Sequence, residues 1–175
     1  TTLDGLVRFD GVRFTVFNKN NSKNFPSNRL VKVLAEDDNT LWLITEEAGL
    51  ARYQGGEFRS FSMADGLPSD NTIFDVAREP GGNILAYTNK GVARFDGNRF
   101  SIPAGMENSD INKLRPYFGA SGTYWELTHE TLTAVREGKK TEYDFPPELK
   151  KIFPDRFNLY TVKMFEDRSG EIWIA

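Results

Sequence analysis

Four charged residues recur at one position relative to a bulky apolar residue, and they are the first candidates for binding chemistry. Each stands ten positions before a tryptophan or its equivalent, and together they are Lys32, Asp75, Arg115 and Lys163. Their neighbours are mostly apolar, so the alternation of a β-strand places the charged side chains on one side of the strand. We expect them to form a net positive tier. Such a tier suits an anionic or hydroxyl-rich ligand, although the polar lining of a water-filled channel explains the same pattern.

Short polar loops precede the same segments, and their side chains supply donors and acceptors for hydrogen bonds. The candidates in these loops are Asn28, Arg29, Asp70, Asn71, Asp110, Asn112 and Asn158. We predict that these residues lie beside the charged tier and help it to bind the ligand. Neutral residues in place of Lys32 and Arg115 are then expected to weaken binding, and an unchanged affinity contradicts the hypothesis.

Other residue types that carry catalysis lack the partners that they need. The single histidine, His129, has no second histidine or ligand spacing around it. The carboxylates of Asp37-Asp38, Asp75 and Glu166-Asp167 fall at turn starts or on predicted inner strands, where acidic side chains hydrogen-bond the backbone. No calcium-loop pattern of alternating Asp or Asn with Gly is present. We therefore predict no catalytic residue, no metal site and no cofactor.

Glycine pairs and tryptophans also have a structural interpretation. Gly55-Gly56 and Gly81-Gly82 fall between predicted strands, whereas a phosphate-binding loop runs from a strand into a helix. Trp42, Trp125 and Trp173 share one place in a repeat. A shared place predicts shared packing between neighbouring sheets, in preference to three separate sugar-stacking platforms.

The elements that position these residues form an internal repeat. A Gly-apolar-x-Arg-aromatic segment begins at Gly5, Gly49 and Gly91, with a degraded copy at Thr131, at separations of 44, 42 and 40 residues. A glycine or asparagine stands three positions before each bulky residue, at Asn39, Gly82, Gly122 and Gly170. These residues tolerate a left-handed backbone and predict hairpin corners. A second corner with glycine follows the aromatic residue of the first segment.

Four short strands in each period of about 40 residues are typical of β-propeller blades. In the first full period we predict strands at 30–36, 41–45, 50–53 and 57–62. A β-solenoid or a meander sandwich is the competing interpretation, but solenoid coils are usually shorter and a sandwich has no reason to repeat its sequence. Helical periodicity is weak except at 147–153. We therefore predict an all-β fold, a segment of a propeller with four-stranded antiparallel blades.

The segment amounts to about four blade-equivalents. The predicted boundaries are a half-blade at 1–20, blades at about 26–62, 68–102 and 109–145, and a half-blade at 157–175. The two ends carry the outer and the inner half of a blade. They pair with each other in a small closed ring, or with a second copy of the chain, or they adjoin further blades of a larger propeller, which is the interpretation that we prefer.

Composition excludes several classes of protein. Hydrophobic residues make up 39% of the 175, and 14 phenylalanines raise the aromatic share to 13%, which suits a β-rich globular chain. Basic and acidic residues number 22 and 25 and are interspersed, so a nucleic-acid partner is not expected. No apolar stretch approaches the ~20 residues of a membrane helix. Without cysteine, the sequence does not indicate a redox compartment.

Three stretches resemble the two-component regulator propeller repeat. They are Gly66–Ser69 (GLPS), Glu166–Ile174 (EDRSGEIWI) and Gly91–Gly97 (GVARFDG). The third period departs from the pattern, with Leu85 where tryptophan is expected. The fourth loses the Gly and Arg of the first segment and has an insertion around Pro146-Pro147. The resemblance implies the extracytoplasmic sensor of a bacterial signalling protein, in which propellers precede a membrane helix and a cytoplasmic kinase or cyclase. Similar proteins of gut bacteria respond to carbohydrate fragments.

These observations predict a non-catalytic, ligand-sensing propeller. Its ligand is expected to be a small molecule such as a carbohydrate, or a partner protein. The resemblance implies a location on the periplasmic or extracellular side of a bacterial inner-membrane protein, with no membrane segment in these residues. Two alternatives stay open. One is a scaffold that assembles through its open end blades, for example as a homodimer, and the other is a propeller-fold lyase or glycosidase.

Overall fold

The described part of the chain forms five antiparallel sheets. The computed structural model describes residues 4–37, 39–70, 72–79, 81–104, 106, 115–119, 121–152 and 162–175. A two-stranded sheet comes first, which we term the first half-blade: β1 (Leu6–Phe9) and β2 (Phe14–Phe17). The last sheet is likewise two-stranded, and we term it the last half-blade: β15 (Met164–Glu166) and β16 (Ile172–Ile174).

Three four-stranded sheets, termed blades 1 to 3, lie between the half-blades in sequence. Blade 1 comprises β3 (Leu30–Asp37), β4 (Thr40–Thr45), β5 (Leu50–Gln54) and β6 (Glu57–Phe61). Blade 2 comprises β7 (Ile73–Arg78), β8 (Ile84–Thr88), β9 (Gly91–Phe95) and β10 (Phe100–Ser101). Blade 3 comprises β11 (Arg115–Phe118), β12 (Tyr124–Leu127), β13 (Thr131–Arg136) and β14 (Lys139–Asp144). In each blade the strands pair in chain order, from the innermost to the outermost.

Side chains at the hairpin corners explain why the strands reverse where they do. The carboxylate of Asp10 accepts hydrogen bonds from the backbone N–H groups of Val12 and Arg13, both at 2.9 Å. Asp96 makes the same two bonds at the equivalent corner of blade 2. Gly97, the next residue, has a φ of 101°, a conformation that glycine adopts without steric cost. The Asp-Gly pairs seen in the sequence are therefore turn-forming residues.

The hydrophobic core lies between successive sheets. Between blades 1 and 2, Trp42 contacts the rings of Phe61, Phe95 and Phe100 at centroid distances of 5.2, 5.0 and 5.9 Å. Further clusters join blade 2 to blade 3, the first half-blade to blade 1, and blade 3 to the last half-blade. Each sheet thus buries its faces on its neighbours in the chain. This arrangement is that of propeller blades and confirms the predicted fold class.

Helical structure is confined to two short segments of the described residues. A 3₁₀-helix at Met63–Asp65 begins with a capping box, in which Ser62 and Asp65 bond each other's backbone N–H groups. The α-helix α1 (Pro147–Ile152) follows blade 3, where the sequence indicated helical periodicity. Proline suits this position because the first residues of a helix need no N–H partner. Within the described ranges, neither helix has the length and apolar character required to cross a bilayer.

The innermost strands of blades 1 and 2 carry the same irregularity. In β3 the pairing register shifts between Leu30 and Lys32, and in β7 it shifts between Ile73 and Asp75. One extra residue of each inner strand therefore faces a single residue of the next strand, as in a β-bulge. Bulges redirect the side chains that follow them. Here the residues that follow are Lys32 and Asp75.

Candidate functional site

The candidate site centres on an ion pair between the innermost strands of blades 1 and 2, which we term the inner-strand pair. Lys32 Nζ contacts Asp75 Oδ1 and donates a second hydrogen bond to the carbonyl oxygen of Val76 at 3.1 Å. The Asp75 carboxylate also accepts the backbone N–H of Val76 at 2.7 Å. Both side chains are partly exposed. The pair therefore offers an ammonium group and a carboxylate group to solvent at the junction of two blades.

Matched bulges bring these two charges together. Lys32 and Asp75 each follow the register shift of their own strand, so the same local distortion turns both side chains toward the junction. The negative charge of Asp75 compensates the positive charge of Lys32. The structure thus brings together two members of the predicted tier as a neutral pair.

The other two members of the predicted tier lie in blade 3 and beside the last half-blade. Arg115 begins β11, and its side chain lies outside the described part of the chain. Lys163 is exposed beside the last half-blade, where its backbone N–H and carbonyl pair with Ala175 at 2.8 and 2.9 Å. A ligand-binding role for these four residues stays a prediction.

Loop residues at the start of the inner strands lie at one end of the blades, which we term the loop face (residues 27–29, 46–49, 68–70 and 89–90). The Glu46 N–H bonds the carbonyl of Arg29 at 3.1 Å, and the Asn89 N–H bonds that of Thr72 at 3.2 Å. These bonds tie each entering loop to the turn between the second and third strands. The two blades therefore present equivalent loops to the same side.

Two predicted loop residues stabilise their own surroundings. The Asn28 side chain accepts the backbone N–H of Lys19 at 2.9 Å. Arg29 Nε contacts the Glu46 carboxylate, and this hydrogen bond and charge raise the pKa of the Arg29 guanidinium. Asn28 thus orders the loop that leads from the first half-blade into blade 1. Arg29 leaves part of its guanidinium exposed on the loop face.

The remaining predicted loop residues divide into one that is described and four that are not. The Asp70 carboxylate accepts the backbone N–H of Met63 at the start of the 3₁₀-helix. It thereby fixes the connection between blades 1 and 2. The other four lie outside the described residues: Asn71, Asp110, Asn112 and Asn158.

Sequence reasoning missed a threonine that recurs in all three blades and bonds the backbone of the turn that follows it. The Thr45 hydroxyl accepts the N–H of Ala48 at 2.8 Å, and Thr88 and Thr128 accept those of Lys90 and Glu130, both at 3.1 Å. A threonine stands three positions after the bulky residue in each of the three blades. This recurrence was a usable signal, since threonine at a strand end commonly bonds the backbone of the following turn.

A second missed group lies at the opposite end of the blades. Glu36 accepts hydrogen bonds from the Trp42 indole at 2.8 Å and from Arg52 at 3.2 Å. In blade 2, Glu79 is buried and pairs with Arg94 at 2.9 Å. In both blades the acid stands six positions before the bulky residue, and its partner is the arginine of the repeated segment. Each ion pair therefore holds the end of the inner strand to the third strand.

Two of the residues weighed for catalysis, His129 and Glu166, are described in the structure. His129 lies half-buried in the turn between β12 and β13. The Glu166 carboxylate accepts the N–H of Ser121 at 2.9 Å, and the Glu166 N–H donates to the Tyr117 hydroxyl at 2.9 Å. Across the described ranges, no group of three or more His, Asp or Glu residues is arranged to hold a metal ion.

The tryptophans differ in burial although they share one place in the repeat. Trp42 is completely buried between blades, as predicted. Trp125 is half-buried, and Trp173 is 61% exposed. The prediction of core packing is thus wrong for Trp173, which lies in a sheet of two strands among the described residues.

Two solved structures that share this fold are extracellular domains of signalling proteins. One is described as belonging to the hybrid two-component system BT3049 of B. thetaiotaomicron; it is 18% identical, has a TM-score of 0.67, and the match covers 99% of this chain and 25% of that one. The second, from the one-component system BT4673 of the same organism, is 16% identical with a TM-score of 0.66, over 98% and 24% of the two chains. This chain therefore spans about a quarter of their length.

A third similar structure is an enzyme. It is a catalytically inactive virginiamycin B lyase from Staphylococcus aureus with quinupristin, 16% identical with a TM-score of 0.56, over 96% of this chain and 54% of that one. At these identities the similarity establishes a shared propeller fold, which hosts more than one function. No protein-family model matches the chain, and no curated protein matches it either.

Proposed function

We propose that this chain is a ligand-sensing segment of a receptor propeller and has no catalysis of its own. The observation that carries the proposal is the inner-strand pair, in which matched bulges hold Lys32 and Asp75 at one blade junction with both groups partly exposed. Fold similarity to extracellular domains of signalling proteins supports it. The chain is then a part of an extracytoplasmic receptor, attached to a bacterial inner membrane by residues beyond this segment.

The chemistry of the pair favours a hydroxyl-rich small molecule such as a carbohydrate. Lysine offers three donors and an ionised carboxylate offers only acceptors, so the pair matches hydroxyl groups that donate and accept at once. An anionic ligand would compete with Asp75 for the ammonium group. The exposed part of Arg29 on the loop face adds a donor for either class of ligand.

Substitution of the lysine tests the proposal directly. We expect Lys32→Gln to weaken binding of an oligosaccharide by about tenfold, the loss of one charge-assisted hydrogen bond. Calorimetric titration with a panel of neutral and acidic oligosaccharides measures the affinity. Lys150→Gln, an exposed residue of α1, is the matched control and is expected to keep the affinity. Equal affinity of Lys32→Gln and wild type, or no binding across the panel, contradicts the proposal.

Catalysis is a separate question because a lyase shares the fold. We expect no turnover when the chain is incubated with a panel of glycosides and with quinupristin, because the buried Nδ1 atom of His129 has no hydrogen-bond partner among the described residues. Product formation measured by mass spectrometry, and lost in a His129→Ala variant, would overturn the non-catalytic assignment.

A scaffold is the second candidate function, and the exposed aromatic residues of the two half-blades favour it. In this role the chain assembles through its open sheets. A mass of one chain, 19.9 kDa, in sedimentation equilibrium would contradict this role.

A further inference from the structure

The segment that connects one sheet to the next passes beside the outer hairpin of the following blade, and three junctions fill this place differently. Between blades 1 and 2 the place is closed. The 3₁₀-helix ends at Gly66, where an added Cβ would lie 2.0 Å from the carbonyl oxygen of Phe100. Arg59 Nη2 also donates a hydrogen bond to the carbonyl oxygen of Asn98 at 3.4 Å, at the hairpin corner of blade 2. Direct contact leaves no room for a ligand here.

Between blades 2 and 3 the same place holds a small cavity of ≈ 170 Å³. Its connecting segment contributes the apolar residues Pro103, Ala104 and Met106, and its hairpin corner contributes Glu137 and Gly138. Pockets that bind small molecules usually have volumes of about 300–1,000 Å³. This cavity is therefore a packing gap between blades that is too small for a typical ligand.

Between the first half-blade and blade 1 the cavity is larger, at ≈ 470 Å³, and lies within that range. We term it the rim pocket, and its main lining residues are Phe17, Asn21, Lys23, Asn24, Glu57 and Phe58. They come from the end of β2, from the segment after it and from the outer hairpin of blade 1. By the repeat, β1 and β2 match the third and fourth strands of a blade. Inner strands of that blade would adjoin β1, on the side away from β2, so the rim pocket is formed by segments internal to the chain.

Aromatic rings form the floor of the rim pocket. Phe58 is buried and belongs to the cluster that joins the first half-blade to blade 1. Its ring lies 6.2 Å from that of Phe17, with the planes at 66°, and 4.8 Å from that of Phe25, with the planes at 76°. Such edge-to-face contacts favour a fixed arrangement of the rings. The floor is therefore a firm apolar surface.

Side-chain amides hold the polar wall of the rim pocket in place. The Asn21 side chain accepts the backbone N–H of Asn18 and donates to the carbonyl oxygen of Val16, both at 2.9 Å. The Asn18 side chain in turn accepts the backbone N–H of Asn20 at 2.9 Å. The wall is thus ordered before any ligand arrives, which reduces the entropy that a ligand must remove on binding.

Three polar groups of the rim pocket have no partner of their own. The Phe25 N–H donates to the carbonyl oxygen of Ser22 at 3.3 Å and closes a turn, in which Asn24 is the third residue with a φ of 58°. Asparagine tolerates this conformation well. Across the described ranges, the side chains of Lys23, Asn24 and Glu57 make no hydrogen bond or ion pair. An ammonium group, an amide and a carboxylate are therefore available to a ligand in one cavity.

The rim pocket continues into a second cavity along the outermost strand of blade 1. This cavity measures ≈ 700 Å³, shares Asn24, Glu57 and Phe58 with the rim pocket, and extends along β6 to Ser60. A group bound in the rim pocket therefore has room for a further unit attached to it.

A pyranose matches both surfaces of the rim pocket. Its ring presents C–H groups that suit an aromatic floor, and its hydroxyl groups donate and accept hydrogen bonds around the edge. Lys23 and Glu57 have opposite signs, so the pair does not favour an ion of either charge. We propose that the rim pocket binds one neutral pyranose unit of a carbohydrate, with its hydroxyl groups bonded to Lys23, Asn24 and Glu57.

The rim pocket is a second site and goes beyond the function proposed above. None of its lining residues belongs to the inner-strand pair or to the loop face. The two proposals can therefore fail separately, and a measurement that reports on individual residues distinguishes them.

Amide NMR spectra of the chain, titrated with methyl glycosides at millimolar concentration, test the rim pocket. The probes are the methyl pyranosides of glucose, galactose and mannose, with the methyl glycoside of glucuronic acid as the acidic comparison. We expect at least one neutral probe to shift the resonances of residues 21–24 and 56–58, and we expect the same shifts in Lys32→Gln. Shifts confined to residues 30–33 and 73–76 would support the inner-strand pair and overturn the rim pocket. No shift with any neutral probe, or tighter binding of the acidic one, overturns it as well.

A matched pair of asparagine variants tests the contact itself. Asn24→Gly removes the amide and keeps the backbone, because glycine adopts a φ of 58° without steric cost. We expect it to raise the dissociation constant of the probe by about tenfold, the loss of one well-placed hydrogen bond. Asn20→Gly is the control, an exposed residue of the same segment that does not line the pocket. It is expected to change the dissociation constant by less than about twofold. Equal effects of the two variants contradict the proposal.

Discussion

Trp42 in blade 1 and Trp173 in the last half-blade are the same residue in the same place of the repeat, yet their surroundings differ completely. Each donates its indole N–H to an acid six positions earlier, Glu36 at 2.8 Å and Asp167 at 2.9 Å. Trp42 is nevertheless 0% exposed and Trp173 is 61% exposed. The local hydrogen bond is therefore independent of the packing around it.

The difference lies in the neighbouring strands. Trp42 is covered by rings from the outer strands of blade 2, and its own sheet extends to β6. Trp173 belongs to a sheet of two strands. In a repeat array the stability of one unit depends on the interface with the next. The repeat sequence thus specifies how a tryptophan is oriented, and the adjoining blade decides how much free energy its burial contributes.

The sharpest test of this comparison removes each indole in turn. Trp42→Ala is expected to lower the free energy of unfolding by about 3–5 kcal/mol, because it empties a closed site between two blades. Trp173→Ala is expected to cost less than about 1 kcal/mol, since an exposed side chain loses little packing. Urea unfolding followed by tryptophan fluorescence, at protein concentrations low enough to keep the chain monomeric, measures both.

A similar loss of stability for both variants at low concentration would mean that the last half-blade is as closed as blade 1.

A second comparison sets a glycine inside a blade junction against one at an outer corner. Gly49 and Gly55 have similar φ values, 67° and 59°. A Cβ on Gly49 would lie 2.1 Å from the carbonyl oxygen of Asp70, whereas a Cβ on Gly55 would meet no atom within 4 Å. Gly55→Ala is therefore expected to lower the free energy of unfolding only through its left-handed backbone, by about 1–2 kcal/mol. Gly49→Ala must also displace the linker between the blades, and we expect it to lower the free energy of unfolding by about 3 kcal/mol in all.

Thermal or urea unfolding of the two single variants measures this pair, with the wild type alongside. Gly49→Ala is also expected to loosen the loop that holds Asp70, which amide hydrogen exchange at residues 66–70 detects. If the two variants lose the same free energy of unfolding, the loss comes from backbone conformation alone and the close approach of the linker to Gly49 has no effect.

The contrast between buried and open blades also explains what the sequence could predict. The strands predicted at 30–36 and 41–45 are observed at Leu30–Asp37 and Thr40–Thr45, because alternation and glycine corners are local signals. The charged tier stays a prediction, but the ion pair that Lys32 and Asp75 form within it was not predicted. That pairing depends on two bulges and on the alignment of adjacent blades, neither of which one sequence displays.

Contacts between residues that are distant in the sequence were the hardest to predict for the same reason. The arginine of the repeated segment was recognised, but its acid partner stands more than a strand away, as with Glu79 and Arg94. The exposure of Trp173 was missed because repeat position reports orientation and not the presence of a neighbour. Threonines such as Thr45 repeat as regularly as the glycines do, and here the signal was present in the sequence and was overlooked.

The smallest expected effect is a titration at the open end of the chain. Hydrogen bonds from the Ser169 hydroxyl at 2.7 Å and the Trp173 indole at 2.9 Å lower the pKa of Asp167 from its ordinary 3.8 to about 2. A lowered pKa means that the ionised carboxylate stabilises the folded chain above pH 4, and that this contribution is lost as the pH falls toward 2. Carboxyl carbon shifts followed by NMR from pH 6 to pH 1.5 measure the midpoint, and Ser169→Ala is expected to raise it. A midpoint near 3.8 in the wild type would show that the hydrogen bonds to Asp167 are not formed. Trp173 would then not share the orientation of Trp42, which the bond to Glu36 fixes.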